Sequence, residues 1–205
     1  MTARQTLATY RRRRDFSRTT EPKGGTRGRP GDRPCFVVQI HDATAMHFDF
    51  RLEVDGVLKS WAVPKGPSAD PHDRRLAMPT EDHPLEYRDF EGVIAAGEYG
   101  AGTVIVWDEG TYRNLSTDRH DDALPMGEAL ERGHASFRLD GRKLHGGYSL
   151  TRIRTGDDGD REAWLLVKHD DERAGTGGGP DPRRARSARS GHTLGQTAAA
   201  GDEAS

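Results

Sequence analysis

The 205 residues contain a single cysteine, Cys35. That excludes internal disulfides and zinc sites built from several thiolates, and it fits a reducing compartment. Cys35 opens the apolar run Cys35-Phe36-Val37-Val38, where a small buried hydrophobe at a strand start is its plainest role. Apolar residues are also few, at 33%, so part of the chain is expected outside any core. No apolar run approaches the ~20 residues of a membrane span. The first residues lack the apolar stretch of a secretion signal. These absences point to a cytoplasmic protein that does not engage membranes. No internal repeat is evident, and helical patterning is confined to residues 3–14 and 121–132.

Charge is plentiful but uneven. Residues 1–34 carry ten Lys/Arg and three Asp/Glu, a balance of +7; residues 174–205 carry four and three, +1; residues 35–173 carry 17 and 27, −10. Three parts follow: a basic arm and loop over 1–34, a globular body over 35–173, and a Gly/Ala/Arg-rich tail over 174–205 expected to be disordered. The consecutive Arg11 to Arg14 suit either a nucleic-acid backbone contact or a solvated helix face. The acidic body argues against coating of duplex DNA and for a local basic groove.

The body is built from strand patterns. From His47 to Val54 polar and apolar residues alternate strictly, which is the period of a β-strand. Asp55-Gly56 then predicts a two-residue type I′ turn into a returning strand, Val57 to Val63. That turn sets a register in which Phe50 faces Trp61, Phe48 faces Val63 and Arg51 faces Ser60. Further strand candidates are 76–78, 103–107, 111–115, 135–139, 143–144, 148–153 and 163–167, with tight turns at Asp140-Gly141 and Asp157 to Asp160. Many short strands and few helices predict a mainly β fold, an antiparallel barrel or sandwich.

The polar face of the strand at 47–54 carries His47, Asp49, Arg51 and Glu53 in one row, with His41 just upstream. Two imidazoles and a carboxylate suit a divalent ion of the manganese, iron or zinc kind, and Arg51 adds a phosphate-binding fork. The same spacing also fits a hydrogen-bonded histidine pair on a structural strand. Glu81 to Tyr87 adds a third imidazole, His83, on a loop, where it could donate to a phosphoryl oxygen or simply face solvent. The stiff Pro64-Lys65-Gly66-Pro67 segment either aims Lys65 at the polar row or leaves it an ordinary loop cation. Gly97 to Gly102 is glycine-rich with no helix after it, so a strand bend fits better than a phosphate loop. His72, His120, His134, His145, His169 and His192 show no partner pattern.

The runs Gln39 to Glu53, Leu58 to Ser68, Thr80 to Tyr87, Phe90 to Ile94 and Gly97 to Trp107 together closely resemble the 3′-phosphoesterase domain of bacterial ATP-dependent DNA ligase D. Tyr10 to Pro22 and Trp164 to Lys168 look like that family too, so the likeness covers residues 7–173. The resemblance implies a compact β-barrel and a manganese-dependent hydrolase of DNA repair by non-homologous end joining. Its 3′-ribonuclease activity trims a terminal ribonucleoside from a primer strand, and its 3′-phosphatase activity removes the resulting 3′-phosphate. By motif, His41, His47 and Asp49 resemble the metal ligands, and Arg51, His83 and Tyr87 the groups around the scissile phosphate. Arg14, Asp15, Glu21, Ser60, Lys65, Arg75 and Glu81 match supporting positions. The implied partners are 3′ ends of DNA or DNA–RNA primer-templates in the nucleoid. No ligase or polymerase domain fits in this length, so a stand-alone enzyme is expected, with a ligase, polymerase or end-binding protein acting in trans. Ile40 stands where a basic residue is common, and Phe48 where Tyr is common.

Two other readings compete. The His47-Phe48-Asp49 triplet copies the metal motif of iron and 2-oxoglutarate dioxygenases, which would need His134 or His145 and Arg152 nearby. A non-catalytic nucleic-acid-binding module would keep the basic arm without the chemistry.

Overall fold

The computed structural model describes residues 6–24, 33–155, 161–176 and 179–202. Nine strands dominate: β1 Cys35–Asp42, β2 Met46–Val54, β3 Val57–Val63, β4 Arg75–Pro79, β5 Gly92–Ile94, β6 Gly102–Asn114, β7 His134–Gly141, β8 His145–Arg154 and β9 Ala163–Lys168. Among the described residues three short α-helices accompany them: α1 Ala8–Arg12, α2 Met126–Arg132 and α3 Leu194–Asp202. All pairings are antiparallel, in the order β1-β2-β3-β4-β9-β8-β7-β6, and β6 returns to β1 to close an eight-stranded barrel. Closure removes the free edges that an open sheet of this size would expose. β5 adds to the start of β6. No helix among the described residues is long and apolar enough to cross a membrane.

The alternation read from β2 holds. Phe48, Phe50, Leu52 and Val54 point inward and meet Phe36, Val38 and Ile40 of β1 and Trp61 and Val63 of β3. The hairpin has the predicted register, Phe48↔Val63, Phe50↔Trp61 and Arg51↔Ser60. Its turn has positive φ at Asp55 (51°) and Gly56 (82°), as type I′ requires.

The outward face of β1 to β3 is not left to water. Val37, Val57, Leu58, Val104 and Val106 form a second apolar cluster outside the barrel wall with Leu7, Tyr10, Leu85, Tyr87, Phe90 and Ile94. The N-terminal arm and the 83–94 segment, which includes a 3₁₀ turn at Leu85–Asp89, therefore form a layer over this wall. The polar row of β2 lies beneath that layer and is buried: Asp49 and Arg51 are only 5% and 2% exposed.

Four expectations need correction. The candidates 103–107 and 111–115 are one strand. A bulge where β1 shifts register at Val38/Gln39 inverts the inward parity between Ile105/Trp107 and Tyr112, so one strand reads as two. Lys143-Leu144 is a turn, its three amides at Arg142, Lys143 and Leu144 donating to the buried Asp108 carboxylate. Helix α2 begins only at Met126, because Pro125 disfavours a helical residue before it. Residues 179–202 are ordered against the barrel rather than a disordered tail. Leu194 joins the core, Ala188 N–H donates to the Val106 carbonyl, and Arg189 pairs with Asp89 and Glu109 at 2.6 Å each. Composition missed this docking because it is carried by backbone bonds, by Arg189 and by Arg142 and Lys143 donating to the Ala188 and Arg186 carbonyls, with a single large apolar anchor. The Asp157–Asp160 turn and most of the Lys23–Pro34 loop lie outside the described residues.

Candidate active site

Strand register assembles the site. His41 and His47 are directly opposed on β1 and β2, and Gln39 opposes Asp49, so the outward residues of both strands merge into one polar field. One ligand atom from each of His41, His47 and Asp49 lies within 4.8 Å of the others. His41 Nδ1 is 3.7 Å from Asp49 Oδ2, and His47 Nε2 is 3.7 Å from Asp49 Oδ1.

The backbone fixes the histidine tautomers. His41 Nε2 donates to the Gly100 carbonyl at 2.8 Å, which leaves Nδ1 with a bare lone pair facing Asp49. His47 Nδ1 donates to the Ala45 carbonyl at 2.8 Å, which leaves Nε2 bare on the same side. A carbonyl on one ring nitrogen and a lone pair on the other is the outer-shell pattern of metal-ligating histidine. Burial pushes the Asp49 carboxyl up, but the Arg51 guanidinium beside it outweighs that and holds the group well below the usual carboxylate range. Two imidazole nitrogens and one ionised carboxylate on one side fit a divalent transition ion with positions left open.

Arg51 lies beside this triad and is heavily committed. Nε donates to Gln39 Oε1 (2.8 Å), Nη1 to Ser60 Oγ (2.8 Å) and His83 Nδ1 (2.9 Å), and Nη2 to Asp49 Oδ2 (3.1 Å). The guanidinium also lies 4.9 Å from the Tyr87 ring centre. Four of its five N–H groups are taken, so in this geometry Arg51 offers a ligand one N–H rather than a two-pronged fork.

His83 is nearly fully buried, and two neighbours make opposite demands on its Nδ1. Arg51 Nη1 donates to it, while the Glu81 carbonyl at 2.8 Å asks it to donate. An imidazolium would satisfy Glu81 but face a permanent cation. Burial first, and Arg51 second, hold the His83 pKa well below 6.5. The ring is therefore neutral at pH 7. With Nδ1 accepting from Arg51, its proton sits on Nε2.

A cavity of about 290 Å³ is lined by the triad, Arg51, His83, Tyr87, Arg14 and Glu81, with Tyr99 and Gly100 on its rim. Arg14 is buried and pairs with Glu21 at 2.9 Å and with Glu81, its guanidinium 3.8 Å from the Tyr10 ring centre. Glu21 accepts in turn from the Tyr87 hydroxyl at 2.9 Å. Burial, and then the Glu21 charge, push the Tyr87 phenol well above 10, so it remains a phenol. Tyr87 thus serves here as a platform beneath Arg51 and as an anchor for the arm.

The model of the DNA ligase D 3′-phosphoesterase domain matches residues 39–152. The chain belongs to the ligase D 3′-phosphoesterase family. Three similar relatives carry the name multifunctional non-homologous end joining protein, or DNA repair protein, LigD. That of Pseudomonas aeruginosa is 51% identical over 175 residues, which is 85% of this chain and 20% of the relative. That of Mycobacterium tuberculosis is 48% identical over 159 residues, 78% of this chain and 19% of the relative. That of Mycolicibacterium smegmatis is 41% identical over 154 residues, 72% and 19%. The chain spans about a fifth of the length of these relatives.

Most positions that resemble the phosphoesterase family's site residues converge. His41, His47, Asp49, Arg51, His83, Tyr87, Glu81 and Arg14 line the cavity, and Ser60 and Glu21 bond directly to lining residues. Three do not join them. Lys65 is exposed and does not line the cavity. Arg75 is tied to Asp73 at 2.6 Å where β4 meets β9. Asp15 is exposed and accepts from the Ser17 amide and hydroxyl. His134, His145 and Arg152, which a dioxygenase would need, do not line the cavity either.

Two contributors escaped sequence reasoning. Gln39 is fully buried, accepts from Arg51, and donates to the Tyr87 and Phe90 carbonyls at 3.0 Å each. Its place two residues before His41, on the same face of β1, was the available signal. Tyr99 is half exposed, with its hydroxyl accepting from Arg13 at 2.7 Å. The glycines around it pointed only to a bend.

Proposed function

We propose that this chain is a divalent-metal-dependent phosphoesterase that heals DNA 3′ ends, with manganese as the preferred ion. It removes a 3′-terminal ribonucleoside and then the 3′-phosphate, leaving a hydroxyl that a ligase can use. One observation carries the reading: two imidazole lone pairs and the Asp49 carboxylate converge beside a buried Arg51–His83 pair at a cavity mouth. Family membership and the LigD relatives support the substrate class.

When bound by His41, His47 and Asp49, the ion supplies Lewis-acid charge to a phosphate oxygen. The remaining Nη2 proton of Arg51 binds a second oxygen and orients the phosphate. In ribonucleoside removal the bond from phosphorus to the 5′ oxygen of the terminal nucleoside breaks, and water supplies the new oxygen. In phosphate removal the bond from phosphorus to the 3′ oxygen of the strand breaks, water again supplies the new oxygen, and inorganic phosphate leaves. In both steps His83, neutral with its proton on Nε2, donates to the departing or charge-bearing oxygen. Gln39, Ser60 and Tyr87 hold Arg51, and Arg14 with Glu21 and Glu81 closes the wall behind it.

A primer-template whose primer ends in two ribonucleotides, run with and without manganese beside a 3′-phosphate primer, tests this. The expected result is shortening by one nucleotide and then phosphate loss, both only with metal. Phosphate loss alone narrows the function to a phosphatase. Binding without turnover on either substrate, with metal bound, overturns the enzymatic reading in favour of a binding module.

A further inference from the structure

Outside the site, one stretch of wall sets two arginines against each other. On β6 and β7, Arg113 and Arg138 are directly opposed, and both face outward, since their neighbours Tyr112, Phe137 and Leu139 fill the core. Like charges directly opposite on a sheet repel. With Arg33, Arg173 and His145 they line a polar pocket of about 280 Å³ on the outer wall. Four arginines against one carboxylate, Asp140, give the lining a balance of +3 on a body that carries −10.

The adjoining pocket answers its arginines from within. There Arg88 pairs with Asp89, Arg142 with Glu109, and Arg189 with both carboxylates. Among the arginines of the β6–β7 pocket only Arg138 has such a partner, Glu172, while Asp140 faces His145 at 3.9 Å. Among the described residues no ion pair holds Arg33, Arg113 or Arg173. Arg33, Arg113 and Arg173, cations without such a partner around the paired Arg138, are the arrangement that a bound phosphate would complete.

We infer that this pocket binds the phosphodiester backbone of the nucleic-acid substrate upstream of the 3′ end. The inference rests on the end-healing reading for the identity of the ligand. Thr111 of the pocket is the β6 partner of Cys35, and His41 lies six residues further along β1. At about 3.3 Å per residue that separates pocket and metal triad by roughly 20 Å along the strand. Strand phosphates advance about 3.4 Å per nucleotide, so the pocket meets the backbone about six nucleotides from the end under repair. The pocket thereby measures whether enough duplex stands behind the damaged end.

The test compares hairpin primer-templates with about four and about twelve base pairs behind the same 3′-phosphate. Binding is read by anisotropy without metal over a salt series, and turnover is read with manganese at saturating substrate. For Arg113→Thr, and independently for Arg33→Ala, which lies outside any strand, three results are expected. Affinity for the long duplex falls several-fold and its salt slope falls by about one. Affinity for the short duplex is unchanged. Saturated turnover is unchanged. If both variants bind the long duplex like the parent, or lose affinity equally for both lengths, the inference is overturned. The parent keeping its metal-dependent turnover in that case leaves the end-healing reading intact. An Arg113-dependent preference for long duplex without any turnover upholds the pocket and removes the enzyme reading instead.

Discussion

Two stretches of one barrel wall treat charge in opposite ways. Over β1 to β3 the charged groups beside the cavity are closed in by the arm and answered from within the protein: Arg51 by Gln39, Ser60 and Asp49, Arg14 by Glu21 and Glu81. Over β6 to β8, Arg113 faces Arg138 in the open. The first wall is organised before a substrate arrives, as electrostatic catalysis requires. On the second, Arg138 has Glu172 but no carboxylate among the described residues pairs with Arg113. Where charges are satisfied internally, substitutions should damage function or folding. Where they are not, they should alter only affinity and its salt dependence.

The largest effect is expected at the triad. Asp49→Asn or His41→Ala should abolish tight manganese binding and lower turnover by at least ~100-fold, as loss of outer-shell partners alone costs 10–100-fold in metal sites. Isothermal titration with manganese and the 3′-phosphate assay check both, and an unchanged affinity would remove His41 or Asp49 from the ligand set. His83→Ala should come next, slowing turnover by ~10²–10⁴ while leaving manganese affinity in place.

On the stability side, Glu21→Ala strips a buried guanidinium and a buried phenol of their shared acceptor. Breaking a buried pair from one side costs about 3–5 kcal/mol. Because Glu81 still holds Arg14, the lower end of that range is expected in urea unfolding. Wild-type stability would show that the arm does not close over the site in solution.

Acid should act through His83 before it reaches the carboxylates. The unfolded histidine takes up a proton near pH 6.5, and the folded one resists it. The contribution of the neutral ring is therefore complete above 6.5 and is lost as pH falls from there toward the lower folded value. Asp49 also titrates lower when folded, but its loss begins only near the ordinary aspartate value of about 4. Between pH 6.5 and 5 the melting temperature should drop, and His83→Gln should flatten that drop. The smallest effect is expected on the open wall, where Arg113→Thr should melt at or slightly above the parent by relieving repulsion across β6 and β7.

Much of the covered wall was legible in the sequence because it follows local rules. Strict alternation marked both faces of β2, and Asp55-Gly56 fixed the register that sets Ser60 beside Arg51. The burial of the polar row was not legible, since Leu7, Tyr10 and Phe90 reach it only through tertiary packing. Gln39 stayed hidden for a related reason: an amide has no chemistry to advertise until its partners are seen. The arginine pair of β6 and β7 needed the pairing of strands whose register no tight turn fixes. The bulge beside Trp107 concealed that parity.

Arg189 reaches back to Asp89, the last residue of the turn that carries Tyr87. That contact lies well beyond the 39–152 segment by which the family is recognised. A chain cut after residue 173 would keep every residue of the cavity and still look complete by motif. It would give up Leu194 from the core, the Ala188–Val106 bond and the clamp on Asp89. The turn that carries Tyr87 is thus fastened by an arginine 100 residues further along the sequence, so the shape of the cavity wall depends on a segment that none of its lining residues announces.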